Sequence, residues 1–132
     1  MKKYIIIIAS VLGIILLAAG FQYFSTLREY RQTIENINIS SVDLNTIEDG
    51  QYTGACEAVW VAAEVIVTVQ DHKITDIKLH HSHGRGEDAE VIPDRIIEAQ
   101  SLEVDMVSGA TSSSKVILKA VENALSGSPV HR

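Results

Sequence analysis

The longest uninterrupted apolar run in the chain lies at its N-terminus. Residues 4–24 contain no charged side chain, and only Ser10 and Gln22 are clearly polar. At a helical rise of about 1.5 Å per residue, this run spans roughly 30 Å, the thickness of a bilayer's hydrocarbon core. Lys2 and Lys3 precede the run, and the positive-inside rule keeps that end in the cytoplasm. The pattern predicts a membrane-spanning helix, with the rest of the chain on the extracytoplasmic side.

Two other interpretations of this apolar run stay open. Small residues at positions 18–20 are typical of the cleavage region of a signal peptide, but the run is longer than the apolar core of most such peptides. A buried helix in a small soluble domain would need a polar outer face, and this run has almost none. We therefore expect a retained signal anchor at residues 1–24, which makes the protein a single-pass protein of the cell membrane.

Alternation of apolar and polar positions in the middle of the chain predicts a short antiparallel sheet. The clearest strand covers residues 63–69, where every second residue is Ala or Val. Residues 51–56 and 74–80 alternate in a similar way, and a turn at residues 71–73 joins the second strand to the third. Because each strand has one apolar face, we expect one side of the sheet to be covered.

Helical periodicity predicts two helices after the sheet. Apolar residues share one stripe over residues 88–99, where Pro93 should kink the helix or begin a new one. A second stripe covers residues 115–125, and Gly127 just beyond it is a stop signal. Residues 102–107, between the two helices, have the character of a short strand. The predicted fold class is α+β: a small antiparallel sheet packed by helices, preceded by an N-terminal transmembrane helix.

Composition divides the chain into four segments. The anchor at residues 1–24 leads into a polar juxtamembrane linker at residues 25–48, which we expect to be a solvated spacer. A turn signal then opens the folded domain, which is expected to cover residues 49–126. Residues 127–132 form a C-terminal tail.

Hydroxyl and small side chains crowd the residues just before the last predicted helix. The run Ser108, Gly109, Ala110 and Thr111 is followed by serines at positions 112–114, and hydroxyl residues are good helix caps. The amides of a first helical turn have no intrahelical acceptors, so a phosphate bound there would satisfy them. An ordinary helix cap is the other interpretation, because the glycines of a dinucleotide loop and the Gly-Lys pair of a P-loop are missing.

Asp105 together with residues 108–111 resembles the attachment motif of the small FMN-binding domains. These domains occur in flavoprotein subunits of the sodium-translocating NADH:quinone reductase and the related Rnf complexes, and in many small extracytoplasmic flavoproteins. The resemblance covers roughly the last three fifths of the chain. It implies that a flavin transferase esterifies the phosphate of FMN onto the hydroxyl of Thr111, with Ser108, Gly109 and Ala110 around the site. Ser112, from the hydroxyl run at the helix start, is a further candidate cofactor-binding residue. Asp105 is then a recognition or magnesium-steering residue for the transfer, or an ordinary turn acceptor.

A loop rich in glycine and histidine follows the third predicted strand. His80, His81 and His83 suggest a metal site, but adjacent strand residues such as His80 and His81 point to opposite faces. A solvated loop is a second interpretation. A flavin-lining loop is the third, and the resemblance supports it. Gly84 would let the backbone approach the ring, and Arg85 or His83 would favour an anionic reduced flavin.

Charge and cysteine content narrow the function classes. A net charge of −6, without a basic aromatic stripe, argues against nucleic-acid binding. The single cysteine, Cys56, lies in a strand pattern, has no intramolecular disulfide partner and offers no second thiolate for zinc. We recognise no nicotinamide site and no hydrolase triad, so any redox chemistry would belong to a flavin.

The expected function is electron transfer by a membrane-anchored extracytoplasmic flavoprotein that carries covalent FMN, rather than by a complete enzyme. Its expected partners are the flavin transferase, the membrane, and a redox partner protein or quinone-linked donor. Two other functions stay open. One is a ligand-binding or structural module without redox chemistry on the same anchor, and the other is the flavin subunit of a larger membrane oxidoreductase complex.

Overall fold

A continuous helix, α1 (Lys2–Asn36), opens the structure, a computed structural model that describes residues 1–82 and 86–127 of the chain. The helix is long and apolar enough to cross a membrane, and none of its apolar window is buried against the rest of the protein. The predicted N-terminal apolar helix is therefore confirmed. It does not end with the apolar run at residue 24 but continues to Asn36.

Three antiparallel strands form one sheet in the order β1 (Gly50–Ala58), β2 (Val61–Gln70) and β3 (Lys73–Ser82). Asp71 and His72 join β2 to β3 with φ values of 52° and 59°, and this pair of positive angles matches the twist of a tight hairpin. Every second residue of β2 is buried, as the alternation predicts. The α+β class, with a small antiparallel sheet and helices, is confirmed.

Two helices and a connecting loop complete the fold around this sheet. A short 3₁₀ helix (Glu87–Val91) leads into α2 (Ile92–Ala99), and Pro93 lies in the first turn of α2, so the proline begins a new helix. The last helix, α3 (Thr111–Leu125), starts ahead of its apolar stripe and packs against β1 and β2. Its buried side chains are Ser113, Ser114, Val116, Ile117, Leu118, Ala120, Val121, Ala124 and Leu125.

The strand predicted at residues 102–107 is wrong. This segment is a loop. Side chains, and not a neighbouring strand, supply hydrogen bonds to its backbone. Arg95 Nη1 donates to the carbonyl oxygen of Asp105 at 2.8 Å, and the N–H of Val107 donates to Ser114 Oγ at 3.1 Å. A short apolar and polar alternation cannot show whether a strand edge is within reach, so local pattern overstates the strand.

Strand β1 and helix α3 approach each other closely at Gly54. A Cβ atom at Gly54 would collide with the backbone of Ala120 and Ala124. At the same crossing, Asn123 Nδ2 donates to the carbonyl oxygen of Ala55 at 2.8 Å. Because only glycine permits this approach, the contact fixes the position of α3 on the sheet.

The segment expected to be a solvated linker packs against the domain. Ile34 and Ile47 are buried in the same core as the sheet. Two lysines of α3 hold the intervening backbone: Lys115 Nζ donates to the carbonyl oxygen of Ile34 at 3.3 Å, and Lys119 Nζ donates to that of Asn38 at 3.0 Å. The apolar residues between Ile37 and Ile47 follow no regular period, so the sequence does not reveal that they are covered.

Candidate functional site

A tight turn delivers the chain to the start of α3. The N–H of Ala110 donates to the carbonyl oxygen of Val107 at 3.0 Å, and Gly109 has a φ of 81°, as at the third residue of a type II turn. No atom outside residues 108–110 lies within 4 Å of a Cβ built on Gly109, so backbone conformation rather than lack of space requires glycine there. Ser108 and Thr111 are both exposed beside this turn.

Helix α3 begins without a side-chain cap. Ala110 occupies the N-cap position, and the N–H of Ser114 donates to its carbonyl oxygen at 2.9 Å. The amides of Thr111, Ser112 and Ser113 belong to the first turn and point out of the helix end, where the helix dipole is positive. The ordinary-cap interpretation of the hydroxyl run is therefore wrong. This helix end is suited to an anion.

Ser114 secures the turn from the protein interior. Its fully buried hydroxyl donates to the carbonyl oxygen of Ala110 at 2.8 Å and accepts the N–H of Val107 at 3.1 Å. Thr111, one helical turn away from it, is exposed. One hydroxyl of the cluster thus holds the loop in place, whereas another is accessible for chemistry.

A cavity of about 420 Å³ lies against this helix end. Its volume falls within the range of roughly 300–1,000 Å³ that is usual for small-molecule sites. Segments distant in sequence build its wall: α1, the turn between β1 and β2, the segment before the 3₁₀ helix, and the start of α3. The lining residues are Tyr30, Trp60, Val61, Gly86, Gly109, Ala110, Thr111, Ser112 and Ser113.

Two aromatic side chains form one wall of the cavity. The ring centroids of Tyr30 and Trp60 lie 4.9 Å apart, with their planes inclined by 40°. Trp60 is 45% exposed, whereas Tyr30 packs partly against the core. A phosphorylated heterocycle needs an apolar surface for its rings and donors for its phosphate, and the aromatic pair and the helix end supply both. These residues therefore fit FMN.

Behind the cavity wall, β3 meets the segment that leads into the 3₁₀ helix. The side chain of His81 is fully buried, with Nδ1 3.5 Å from Glu90 Oε1. The backbone of Gly86 packs against both His81 and Ser113. His80 is exposed, so the two adjacent histidines face opposite sides of the sheet, as predicted. Within residues 1–82 and 86–127, no three His, Cys, Asp or Glu side chains are grouped as a metal ion would require.

The predicted cofactor-binding residues fall into three groups. Gly109, Ala110, Thr111 and Ser112 line the cavity. Ser108 adjoins it at the surface turn, whereas Asp105 lines a separate depression that also includes Arg95 and Glu103. His83, Gly84 and Arg85 lie outside the described residues.

Tyr30, Trp60 and Ser113 were not among the predicted site residues. Trp60 is the only tryptophan of the chain and occupies a hairpin turn, where polar residues are usual, and this is a sequence signal for a ligand or surface contact. Tyr30 carries no such signal, because it reaches the cavity only through the packing of α1 on the domain. The sequence does not distinguish Ser113 from the other hydroxyl residues of its run.

The side chains with raised pKa values lie away from the cavity. Burial raises the pKa of the Cys56 thiol, and the positive charge of Lys119 opposes that shift. Burial also raises the pKa of the Tyr52 phenol, and the charges of Glu48 and Asp49 add to the effect. Cys56 is therefore protonated at neutral pH and is not an activated nucleophile.

Residues 59–126, just over half of the chain, match the family of FMN-binding domains. The chain therefore belongs to the FMN-binding domain family. This finding confirms the resemblance drawn from the motif and supports FMN as the cofactor. The matched region begins at the hairpin turn before β2 and ends just after α3.

Two individual proteins are similar to parts of the chain. One is the NADH:acrylate oxidoreductase of Vibrio harveyi, 42% identical over 65 residues that make up 46% of this chain and 6% of that protein. The chain thus spans only a small part of the length of this curated relative. The other is the CPE2226 protein from Clostridium perfringens, whose crystal structure is 25% identical with a TM-score of 0.51 and covers 61% of this chain and 88% of that one.

Proposed function

We propose that this protein is an electron carrier that holds FMN covalently through a phosphate ester to Thr111 and is anchored in the cell membrane by α1. The observation that carries the proposal is an exposed threonine hydroxyl at an uncapped helix end beside an aromatic-walled cavity. Membership of the FMN-binding domain family supports the cofactor. The linkage to Thr111 rests on the attachment motif and on the accessibility of this hydroxyl.

The ester requires an activated phosphoryl donor, and a flavin dinucleotide used by a flavin transferase belongs to that class. Thr111 Oγ1 attacks the flavin-side phosphorus and forms a new P–O bond. The pyrophosphate bond breaks, a nucleoside monophosphate leaves, and the hydroxyl proton passes to a base of the transferase. Thr111 is exposed enough for a second protein to reach it, whereas Ser114 is fully buried.

The residues around Thr111 have separate tasks in holding the cofactor. The first-turn amides of Ser112 and Ser113 stabilise the negative charge that the phosphodiester retains. The faces of Trp60 and Tyr30 provide an apolar surface for the ring. When bound, FMN supplies one- or two-electron exchange, and the protein contributes position and electrostatics. A covalent link keeps the cofactor on a domain that faces a large extracytoplasmic volume.

The orientation in the membrane follows from the charges that flank α1. Lys2 and Lys3 precede the apolar run, so the positive-inside rule retains the N-terminus in the cytoplasm and places the flavin domain on the extracytoplasmic side. The proposed partners are the flavin transferase that loads the domain and a redox partner protein or quinone-linked donor.

The linkage is tested by the intact mass of protein co-produced with a flavin transferase. We expect the mass of one esterified FMN and a fluorescent band after denaturing electrophoresis. Thr111→Ala should abolish both signals, and the matched control Ser112→Ala, which removes the neighbouring hydroxyl, should retain them. Covalent flavin that persists in Thr111→Ala would refute the assigned residue. An unmodified mass in the wild type despite an active transferase would favour a module without redox chemistry.

The match to a short part of a much longer oxidoreductase favours a second candidate function. In this alternative, the domain is the flavin subunit of a larger membrane oxidoreductase complex, because the similar segment of the Vibrio protein belongs to a much longer chain. Purification from native membranes in mild detergent separates the two candidates. A chain that elutes alone with its flavin is a carrier, and one that elutes with stoichiometric partners is a subunit.

A further inference from the structure

We infer that the flavin cavity opens at the lipid headgroup layer of the bilayer, with Val59 and Trp60 lying among the headgroups. The inference rests on the proposed membrane anchor. It goes further by assigning the cofactor site a fixed distance from the bilayer and contact with the lipid headgroups. Five observations carry it: the fit of the apolar run to the bilayer, the height of the aromatic pair, the packing of α1 on the domain, the direction of α3, and the exposed apolar residues of the first hairpin turn.

The apolar part of α1 matches the thickness of a bilayer's hydrocarbon core. Residues 4–24 span roughly 30 Å as a helix, which equals the thickness of the hydrocarbon core. Aromatic residues, which favour membrane interfaces, lie at both ends of the run: Tyr4 at one end, and Tyr23 and Phe24 at the other. Because α1 continues unbroken to Asn36, the height of each later residue follows from its position in the helix.

Tyr30 lies close above the hydrocarbon boundary. It follows Phe24 by six residues, which corresponds to a rise of about 9 Å along the helix axis. The headgroup layer on each side of a bilayer is roughly 5–8 Å thick. Helical side chains tilt toward the helix N-terminus, so the ring of Tyr30 points back toward the lipid. The ring of Trp60 lies 4.9 Å from that of Tyr30, so its height differs from this level by no more than that distance.

The C-terminal part of α1 is joined to the domain along one face. Leu27 and Tyr30 are half-buried and Ile34 is buried, and their spacing of three and four residues places them on a single helical stripe. Ile34 belongs to the core of the domain, and Tyr30 packs against that core. The domain is thus held against the membrane-proximal turns of the helix instead of hanging from a free linker.

The direction of α3 places Thr111 at the membrane-proximal end of the domain. Successive residues of α3 contact successive residues of the chain after Tyr30, in the same order along both segments. Lys115 contacts the carbonyl oxygen of Ile34 and Lys119 that of Asn38, and Glu122 Oε2 accepts the N–H of Ser40 at 3.1 Å. Within α1 itself, Tyr30 lines the same cavity as Thr111, and Ile34, one turn later, meets Lys115, one turn later in α3. Helix α3 therefore runs in the same direction as α1, away from the bilayer.

The hairpin turn between β1 and β2 has the chemistry of a membrane contact. Val59 and Trp60 are 43% and 45% exposed, and their apolar side chains occupy a turn where polar residues are usual. Tryptophan favours the interface because its ring is apolar and its N–H is polar. Arg28 and Arg31 of α1 lie at a similar height and suit lipid phosphates. A redox partner would therefore reach the cavity from the membrane surface.

The single tryptophan makes this placement measurable. The full-length protein, produced without a flavin transferase so that no flavin quenches Trp60, is reconstituted in phosphatidylcholine vesicles. These vesicles carry a nitroxide on the headgroup, a nitroxide deep in the acyl chain, or none. We expect the headgroup nitroxide to quench more than half of the fluorescence, and more than the acyl-chain nitroxide does. A seven-residue polar helical insertion between Ser25 and Thr26 raises the domain by about 10 Å and should relieve most of the quenching.

A second reporter position supplies the control. The double variant Trp60→Phe, Ser126→Trp moves the fluorophore to the far end of α3, roughly 20 Å along that helix from Thr111, where we expect little quenching. Equal quenching of the two reporters, or none of Trp60, would overturn the inference.

Vesicle flotation tests the anchor separately. A protein that floats with unquenched Trp60 leaves the anchor intact and refutes this placement, whereas one that does not float refutes both. Neither result bears on flavin attachment, which is read from the mass.

Discussion

The two ends of helix α3 are built in opposite ways. Toward its C-terminus, the backbone of β1 at Gly54 lies directly on Ala120 and Ala124, and neither alanine has exposed surface of any consequence. At its N-terminus the helix has no side-chain cap, Thr111 is exposed, and a cavity of about 420 Å³ adjoins the first turn. A helix is rigid over this length, so the packed end determines where the open end presents its amides. Tight packing at one end thus preorganises a site at the other, where the hydroxyl of Thr111 is exposed.

The largest effect is expected where the packing is tightest. Gly54→Ala forces a Cβ atom into the backbone of Ala120 and Ala124, which cannot move aside as the tip of a side chain can. We expect the free energy of unfolding to fall by about 3 kcal/mol or more, and the domain to lose flavin loading with its fold. Urea unfolding of the full-length protein in detergent, followed by Trp60 fluorescence, measures the change.

Gly127→Ala is the matched control for that substitution. A Cβ atom at Gly127 would lie 3.4 Å from the carbonyl oxygen of Ala124, an ordinary contact distance. Its effect should stay within about 0.5 kcal/mol. Similar stability of the two alanine variants would mean that the contact of β1 with α3 at Gly54 does not stabilise the fold. The proposed contrast between a packed and an open end of α3 would then be wrong.

An intermediate effect is expected at the residue that links the two ends. Ser114→Ala removes the buried hydroxyl that joins Val107 to Ala110, and leaves the N–H of Val107 without that acceptor. We expect a loss of about 2 kcal/mol in the free energy of unfolding, since an unmet buried hydrogen-bonding group costs about 1–3 kcal/mol. Faster hydrogen exchange at the amide of Val107 should accompany it. Ser112→Ala, in the same turn, should be close to neutral. Equal losses in both variants would show that other contacts hold the turn.

Local periodicity accounts for the parts of the fold that the sequence predicts correctly. The alternation in β2, the turn at residues 71–73, the new helix at Pro93 and the stripe of α3 each depend on neighbours a few residues apart. The attachment motif is local in the same sense, and the family match over residues 59–126 confirms the resemblance based on it. These signals suffice for the fold class and for the helix end that forms one side of the cavity.

The features that the sequence does not reveal depend on contacts between distant segments. Tyr30 and Trp60 meet only because α1 packs on the domain beside the first hairpin, and no local period connects them. The packing of Ile47 and the loop structure of residues 102–107 likewise depend on neighbours that the folded chain brings near. One side of the candidate site was therefore predictable, and the aromatic wall was not.

The smallest effect on folding is expected at the residue on which the proposed cofactor chemistry depends. Thr111 is exposed and its side chain caps nothing, so Thr111→Ala should change the free energy of unfolding by less than about 0.5 kcal/mol. The comparison uses protein without flavin, because a bound cofactor would add its own stabilisation. A loss of about 1 kcal/mol, the usual cost of removing a helix cap, would instead assign the hydroxyl a structural task. The open end of α3 would then contribute to the fold as the packed end does, and the contrast between the two ends would lose its physical basis.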